Sequence, residues 1–273
     1  MSADPEGHSQ TVAMPEILNI FGLSGRAAIV TGAGRGLGQT MASALAQAGA
    51  AIAVFDVNLA DAEATAESIR SLGAQAIAAQ IDITDGEQVQ QGIQLTINAF
   101  GSVDILVNNA GITTRSPFED LPEEDWERVL NVNLGGVYQC SRRMAKYLIS
   151  QNIPGSIINI ASISGFVGNR GGLNSHYCTT KGGVIALTRS LAVEWAPYNL
   201  RVNAIAPGYF VTPMTDRLKN INPAFYDELV GRVPLGRFGN APDLAGAVIY
   251  LASDASAFVT GHILVIDGGY TAW

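Results

Sequence analysis

Short apolar runs alternate along this chain with segments of helical spacing, and that alternation restricts the fold more than any other feature. The runs fall at 26–30, 51–55, 75–81, 103–107, 156–160, 200–205 and 262–266. Apolar residues recur every three to four positions over 39–48, 61–72, 87–100, 137–149, 182–196 and 241–252. Strands without a polar face are buried on both sides, and intervening helices supply the crossovers of a parallel sheet. The expected architecture is α/β: a doubly wound parallel sheet of about seven strands, with helices on both faces and right-handed crossovers.

No linker or internal repeat divides the pattern. Residues 1–19 read as a loosely ordered tail and 20–273 as one domain. Only 15% of the 273 residues are charged, against about 25% for an average soluble domain, so much of the surface is expected to be buried. The net charge of −8 disfavours nucleic acid and anionic membrane as partners. No apolar run reaches the length of a membrane span, and the N-terminus lacks a secretory pattern. Cys140 and Cys178 have neither metal-ligand nor disulfide-framework spacing, which suits a reducing cytoplasm.

The first run passes into Thr31-Gly32-Ala33-Gly34-Arg35-Gly36-Leu37-Gly38 and then a helix. Glycines in such a turn let the backbone approach a pyrophosphate, which sits on the helix N-terminus. The second run ends at Asp56, 18 residues beyond Gly38, where a dinucleotide fold places an acid on the adenosine ribose. A carboxylate there repels a 2′-phosphate and favours NAD, whereas Arg35 beside the turn would bind one and leaves NADP open. Asp56 also reads as a helix cap for the segment from Leu59. Asp82 is placed to meet an adenine edge, and Asp85 reads as an N-cap. Asn108 and Asn109 end the fourth run, either lining a cleft or forming an ordinary turn. Two glycines interrupt the helical pattern at 131–137. Residues 209–233 lack a strand pattern and read as a lid or substrate loop. Strand ends at Thr31, Asp56, Asp82, Asn108, Ser162 and Pro207 repeatedly hand over to small or polar groups, which describes a cleft outside the carboxyl ends of the strands.

Tyr177 and Lys181 are four apart and share one helix face. Alone, such a pair is usually a solvated face. Beside a hydride carrier, an ammonium that lowers a phenol's pKa makes it a proton-transfer group.

In combination, Thr31-Gly32-x-x-x-Gly36-x-Gly38, Asn108-Asn109-Ala110-Gly111, Asn131-Val132-Asn133-Leu134, Ser162, Tyr177-x-x-x-Lys181 and Pro207-Gly208 closely resemble the short-chain dehydrogenase/reductase family. The resemblance spans about 22–269 and implies a Rossmann-type fold. It implies a catalytic group of Ser162, Tyr177 and Lys181, with Asn133 as fourth member. Cofactor contacts would come from Gly32, Arg35, Gly36, Leu37 and Gly38 in the turn, Asp56, Asp82 and Ile83 at the next strand ends, and Asn109, Ala110 and Gly111. Tyr177, Lys181, Pro207, Gly208, Phe210 and Thr212 complete that set, with Thr212 meeting the nicotinamide carboxamide. Ser162 lies 15 residues before Tyr177 where many members have 13; Ser164 fits 13, but Ser162 sits directly after the strand and three before Gly165. Ser164, His176, Tyr209 and Met214 are candidate substrate contacts, with Phe166, Asn169, Asn174 and Phe210 nearby; His176 would alternatively face away. The closest likeness is to the gluconate, deoxygluconate and polyol dehydrogenase branch. It implies hydride exchange between NAD, or alternatively NADP, and a small secondary alcohol or ketone such as a sugar, polyol or sugar acid. NADPH-dependent 3-oxoacyl-thioester reductases share most of the motifs. A homotetramer is implied, with 134–149, 177–196 and 270–273 at interfaces.

Overall fold

A computed structural model describes residues 16–169, 171–212 and 219–273. Its elements run β1 (Ala27–Thr31), α1 (Gly36–Gln47), β2 (Ala51–Asp56), α2 (Leu59–Ser71), β3 (Ala76–Gln80), α3 (Gly86–Phe100) and β4 (Ile105–Asn108). They continue as α4 (Glu123–Leu130), α5 (Gly136–Gln151), β5 (Gly155–Ile160), α6 (Ser175–Trp195), β6 (Leu200–Pro207), α7 (Pro223–Gly231), α8 (Ala245–Ala252) and β7 (Ile263–Ile266). The seven strands form one parallel sheet in the order β3-β2-β1-β4-β5-β6-β7. The anticipated Rossmann-type architecture is therefore present.

Side chains alternate across each strand, so every strand feeds two cores. Val30, Val54, Val107 and Ile158 pack with Met41 and Leu45 of α1, Ile69 of α2 and Leu251 of α8. Ile29, Phe55, Leu106 and Ile157 face the other way, onto Ile93 of α3 and Met144 and Leu148 of α5. Between α5 and α6 the filling is polar. Asn108 Nδ2 donates to Asn159 Oδ1 at 2.8 Å and to Ser141 Oγ at 2.9 Å, and Asn159 Nδ2 donates to Thr188 Oγ1 at 2.9 Å. Asn108 and Asn159 are register partners on β4 and β5, so this network ties the two strands to both helices. These directional bonds constrain register more strictly than apolar packing does, although the buried Asn108 Oδ1 finds no partner among the described residues.

Local outcomes differ from the sequence pattern in three places. Val103 and Asp104 precede β4, because the Asp104 carboxylate accepts the Ala27 N–H at 2.9 Å and takes the place of a ladder bond. The interruption at 131–137 is a π-helical turn, Asn131–Gly135, joining α4 to α5 without a break. The final helical pattern opens with a 3-10 turn, Ala241–Leu244, in which Pro242 lies in the first turn.

Candidate active site

The sheet reverses its winding between β1 and β4, and the crevice outside the strand ends at such a point is where ligands bind in open α/β sheets. The turn after β1 is held to β4 by its own polar groups. Thr31 Oγ1 accepts from Asn109 N and Ala110 N, each at 3.1 Å, while Asn109 Nδ2 donates to Thr31 O and Gly32 O at 2.9 Å. A Cβ on Gly38 would lie 2.3 Å from Gly32 O and 2.4 Å from Asn109 Nδ2, so only glycine allows this approach. Gly36 has φ +61°, and a Cβ there would meet nothing within 4 Å: the backbone opens outward. No side chain caps the N-terminus of α1, which leaves its first N–H groups to an anion. This cradle fits a dinucleotide pyrophosphate.

Asp56, at the end of β2, accepts from Gly34 N at 2.9 Å and from Asn58 N at 3.0 Å. Asn58, not Asp56, caps α2. Arg35 is exposed and makes no ion pair among the described residues. Asp82 Oδ1 accepts from Thr84 N at 2.9 Å and Thr84 Oγ1 at 2.7 Å, and Ile83 is buried in the core. Asp85 caps α3 as its position suggested, accepting from Glu87 N and Gln88 N.

The side chains of the Ser-Tyr-Lys set come together where β5 and the start of α6 meet. Ser162 lies just beyond β5, two residues after Ile160, close enough to the Tyr177 hydroxyl to favour its phenolate. Lys181 is buried, with Nζ 2.7 Å from Ile160 O and 5.6 Å from the centre of the Tyr177 ring. Burial pushes the ammonium down to about 8. The sequence spacing suggested that Lys181 would lower the phenol's pKa; instead burial raises it, and the Ser162 hydrogen bond is what pulls it back. The physical reason is enclosure: burial of the Tyr177 hydroxyl penalises its charged form.

Asn133 lies inside the π-helical turn and is fully buried. Its Oδ1 accepts from Ile112 N at 2.8 Å, and its Nδ2 donates to Ile112 O at 2.9 Å and Thr180 Oγ1 at 3.2 Å. A Cβ on Gly111 would sit 3.2 Å from Asn133 Oδ1 and 3.7 Å from Lys181 Nζ, so the two side chains flank Gly111.

Of the candidate substrate contacts, Ser164 turns its hydroxyl to Ser162 and Asn169. His176 is fully buried; its Nε2 is 2.9 Å from Thr114 Oγ1, its Nδ1 has no partner, and burial lowers its pKa. Tyr209 stacks on Phe238 and meets Tyr270 edge-on, and burial pushes its phenol up to about 12. Met214 lies outside the described residues. Pro207 ends β6, and a Cβ on Gly208 would strike Asp267 at 2.6 Å. Phe210 is buried against Gly239, and Thr212 is the last described residue before 213–218.

One residue stands out that the sequence pattern did not single out. Arg115 is exposed and unpaired among the described residues, and it lies close enough to Tyr209 to favour its phenolate. Its neighbours tie it to the catalytic loop: Thr114 bonds His176, and Ser116 N donates to Leu173 O at 2.9 Å. Its only sequence signal is a lone cation in a short polar stretch after Gly111.

A phenol, a buried ammonium and a serine hydroxyl gathered beside a dinucleotide cradle define a nicotinamide-dependent oxidoreductase. Residues 32–271 match the family described as enoyl-(acyl carrier protein) reductase. The chain belongs to the short-chain dehydrogenase/reductase family and exchanges hydride between a nicotinamide cofactor and a CH–OH centre. It is 40% identical over 257 residues to the 2-dehydro-3-deoxy-D-gluconate 5-dehydrogenase of Escherichia coli, covering 94% of this chain and 99% of that one. It is 37% identical over 247 residues to the 3-oxoacyl-(acyl-carrier-protein) reductase of Thermotoga maritima, covering 90% and 98%. The structure of a gluconate 5-dehydrogenase from Burkholderia cenocepacia in complex with NADP and tartrate is similar, with TM-score 0.88, 39% identity and coverage of 94% and 99%. Among the described residues, no helix is long and apolar enough to cross a membrane, and no group of three His, Cys, Asp or Glu side chains is arranged to hold a metal.

Proposed function

We propose that this enzyme interconverts a secondary alcohol and a ketone on a small polyhydroxylated acid, a sugar acid or its keto form. The observation that carries this reading is Arg115, an unpaired cation at the rim of a site whose inner wall is built from Ser162, Ser164, Asn169 and Asn174. A guanidinium pairs with carboxylate in a planar, bidentate way. Hydroxyl and amide groups suit substrate hydroxyls. The likeness to gluconate and deoxygluconate dehydrogenases points the same way.

In the oxidising direction Tyr177, as phenolate, takes the substrate hydroxyl proton. Ser162 donates to the same oxygen and steadies its developing charge. Lys181 keeps positive charge beside the phenol, and Asn133 holds the 111–112 backbone against it. The cofactor, when bound, supplies the hydride acceptor or donor. The turn 32–38, Asp56, the 109–111 segment, Lys181 and the 207–212 segment would hold it. Asp56 favours NAD and the free Arg35 tolerates NADP, so we assign NAD as preferred and NADP as accepted.

A second reading, reduction of a 3-oxoacyl thioester, is favoured by the exposed apolar side chains of Phe166 and Val167 beside Ser164. Turnover assays separate the two. Sugar acids, neutral polyols and 3-oxoacyl thioesters are each offered with both cofactors, and reduced-nicotinamide absorbance is followed. Turnover confined to the thioester would overturn the sugar-acid reading. A cytoplasmic homotetramer completes the proposal: Tyr138 on α5 and Val193 on α6 present exposed apolar surface for packing between copies. A monomer by light scattering would refute that assembly.

A further inference from the structure

Asn133 holds both the N–H and the carbonyl of Ile112, and regular structure resumes only at the 3-10 turn Phe118–Asp120. The segment 113–116 between them is irregular. Among the described residues, two hydrogen bonds alone tie it to other parts of the chain. Thr114 Oγ1 lies 2.9 Å from His176 Nε2, and Ser116 N donates to Leu173 O at 2.9 Å. The two bonds straddle Arg115, and both end on the residues just before Tyr177.

Each bond is set by its surroundings. The His176 ring is fully buried and its Nδ1 has no partner among the described residues, so the Thr114 hydroxyl is what the ring bonds. A threonine hydroxyl both donates and accepts, so either tautomer of the ring serves. Breaking the bond would leave a second buried nitrogen unpaired. Leu173 has φ +46°, a left-handed conformation that a bulky residue keeps only where its neighbours impose it. The Ser116 N–H holds the carbonyl of this strained residue. The Tyr177 side of the clamp is the firm one. The start of α6 is anchored by Lys181 Nζ on Ile160 O and by Asn133 Nδ2 on Thr180 Oγ1, neither of which involves 113–116. Exposed Arg115 is the part that moves if the clamp is lost.

We propose that Thr114 and His176 are positioning residues that, together with the Ser116–Leu173 bond, fix the reach from the Arg115 guanidinium to the Tyr177 hydroxyl. The clamp is a ruler. A bidentate pairing orients the carboxylate of a sugar acid on Arg115. Only the carbinol at one distance along the carbon chain then meets Tyr177. That carbinol gives its hydroxyl proton to Tyr177 and its hydride to the cofactor, as in the reaction already described. The site thus selects the position of oxidation, counted from the carboxylate, as well as the acid.

This inference rests on the sugar-acid reading of Arg115. Wild type, Thr114→Val, Thr114→Ser, His176→Leu and Arg115→Ala are offered aldonates from threonate to heptonate, and the alditols of the same lengths, with both cofactors. KM is measured, and carbon NMR locates the ketone in each product. Wild type should give one keto position, at the same count from the carboxylate, in every aldonate it turns over. Thr114→Val loses one hydrogen bond that touches no substrate, and should raise the aldonate KM roughly fivefold while leaving the alditol KM within about twofold. It should also spread the ketone over neighbouring positions, which a general loss of stability would not do. Thr114→Ser, which keeps the hydroxyl, should give the single product again. His176→Leu should match Thr114→Val; where it folds poorly by Tm, the two Thr114 variants decide. An unmoved keto position in Thr114→Val, with Arg115→Ala losing its preference for aldonates over alditols, would overturn the clamp alone. If Arg115→Ala keeps that preference, or no aldonate is turned over, the sugar-acid reading falls and the clamp with it.

Discussion

The Asp56 carboxylate grips the backbone N–H of Gly34 at 2.9 Å, so the acid that ends β2 also braces the glycine turn that follows β1. Cofactor choice and turn geometry are therefore coupled. A 2′-phosphate about 4 Å from this carboxylate would meet a repulsion of about 1–4 kcal/mol, depending on local polarisability. Asp56→Ala should raise the kcat/KM ratio of NADP⁺ over NAD⁺ by about tenfold or more and lower Tm through the lost brace. Arg35→Ala should weaken NADP⁺ selectively. A ratio unmoved in Asp56→Ala would leave Asp56 as a brace and nothing else.

Lys181 carries a consequence for stability as well as for turnover. Its folded pKa, about 8, lies below the ordinary 10.5 of a free lysine. Between those values the unfolded chain holds more protons, so this residue's contribution to stability rises with pH across that window. Relative to Lys181→Met, the wild type should gain on the order of 3 kcal/mol between pH 8 and 10.5. Denaturant unfolding of both proteins at several pH values measures it. A constant difference would mean the ammonium is not desolvated. The same variant should lack turnover.

His176 predicts the opposite end of the pH range. Its ring is buried, Nδ1 is without a partner and Nε2 meets Thr114. Burial lowers its folded pKa below 6.5, so its neutral form is favoured in the native state. Stability from this site is complete above about pH 6.5 and falls as pH drops through the folded value. His176→Met should flatten the decline of Tm between pH 7 and 5. Parallel curves for the two proteins would refute this.

Arg115 separates charged from neutral substrates. Arg115→Ala should raise KM for a sugar acid by roughly ten- to a hundredfold, the loss of one charge-assisted pairing, while leaving KM for a neutral polyol within about twofold. Equal effects on both would move Arg115 from recognition to loop structure.

Much of this protein could be read before its structure. All seven strands lie within two residues of the apolar runs, because strands buried on both faces leave little freedom in composition. The convergence of Thr31, Asn109, Ser162, Tyr177 and Lys181 follows from their places after strands or at the start of α6. What escaped were matters of direction. No spacing rule shows that Lys181 aims at Ile160 O, or that Tyr177 is enclosed enough for burial to raise its phenol's pKa. Asp56 and Asn58 are two apart and both suited to capping; which one does so depends on where Gly34 lies. Ser164 and Asn169 could be named as pocket residues, but only the distances show that Asn169 bonds Ser164 and that Ser164 meets Ser162.

The π-helical turn at Asn131–Gly135 gives this protein an unusual relation to insertion and deletion. Removing one residue there would let α4 and α5 fuse into a regular helix with ordinary hydrogen bonding. Each residue of such a helix turns the chain by about 100°. Everything downstream would rotate by that amount, carrying Val137, Cys140 and Met144 off the faces they now pack and withdrawing Asn133 from Ile112. The tidier helix would be the poorer protein. A single-residue gap at this place, harmless in most surface helices, would act as a frameshift in three dimensions.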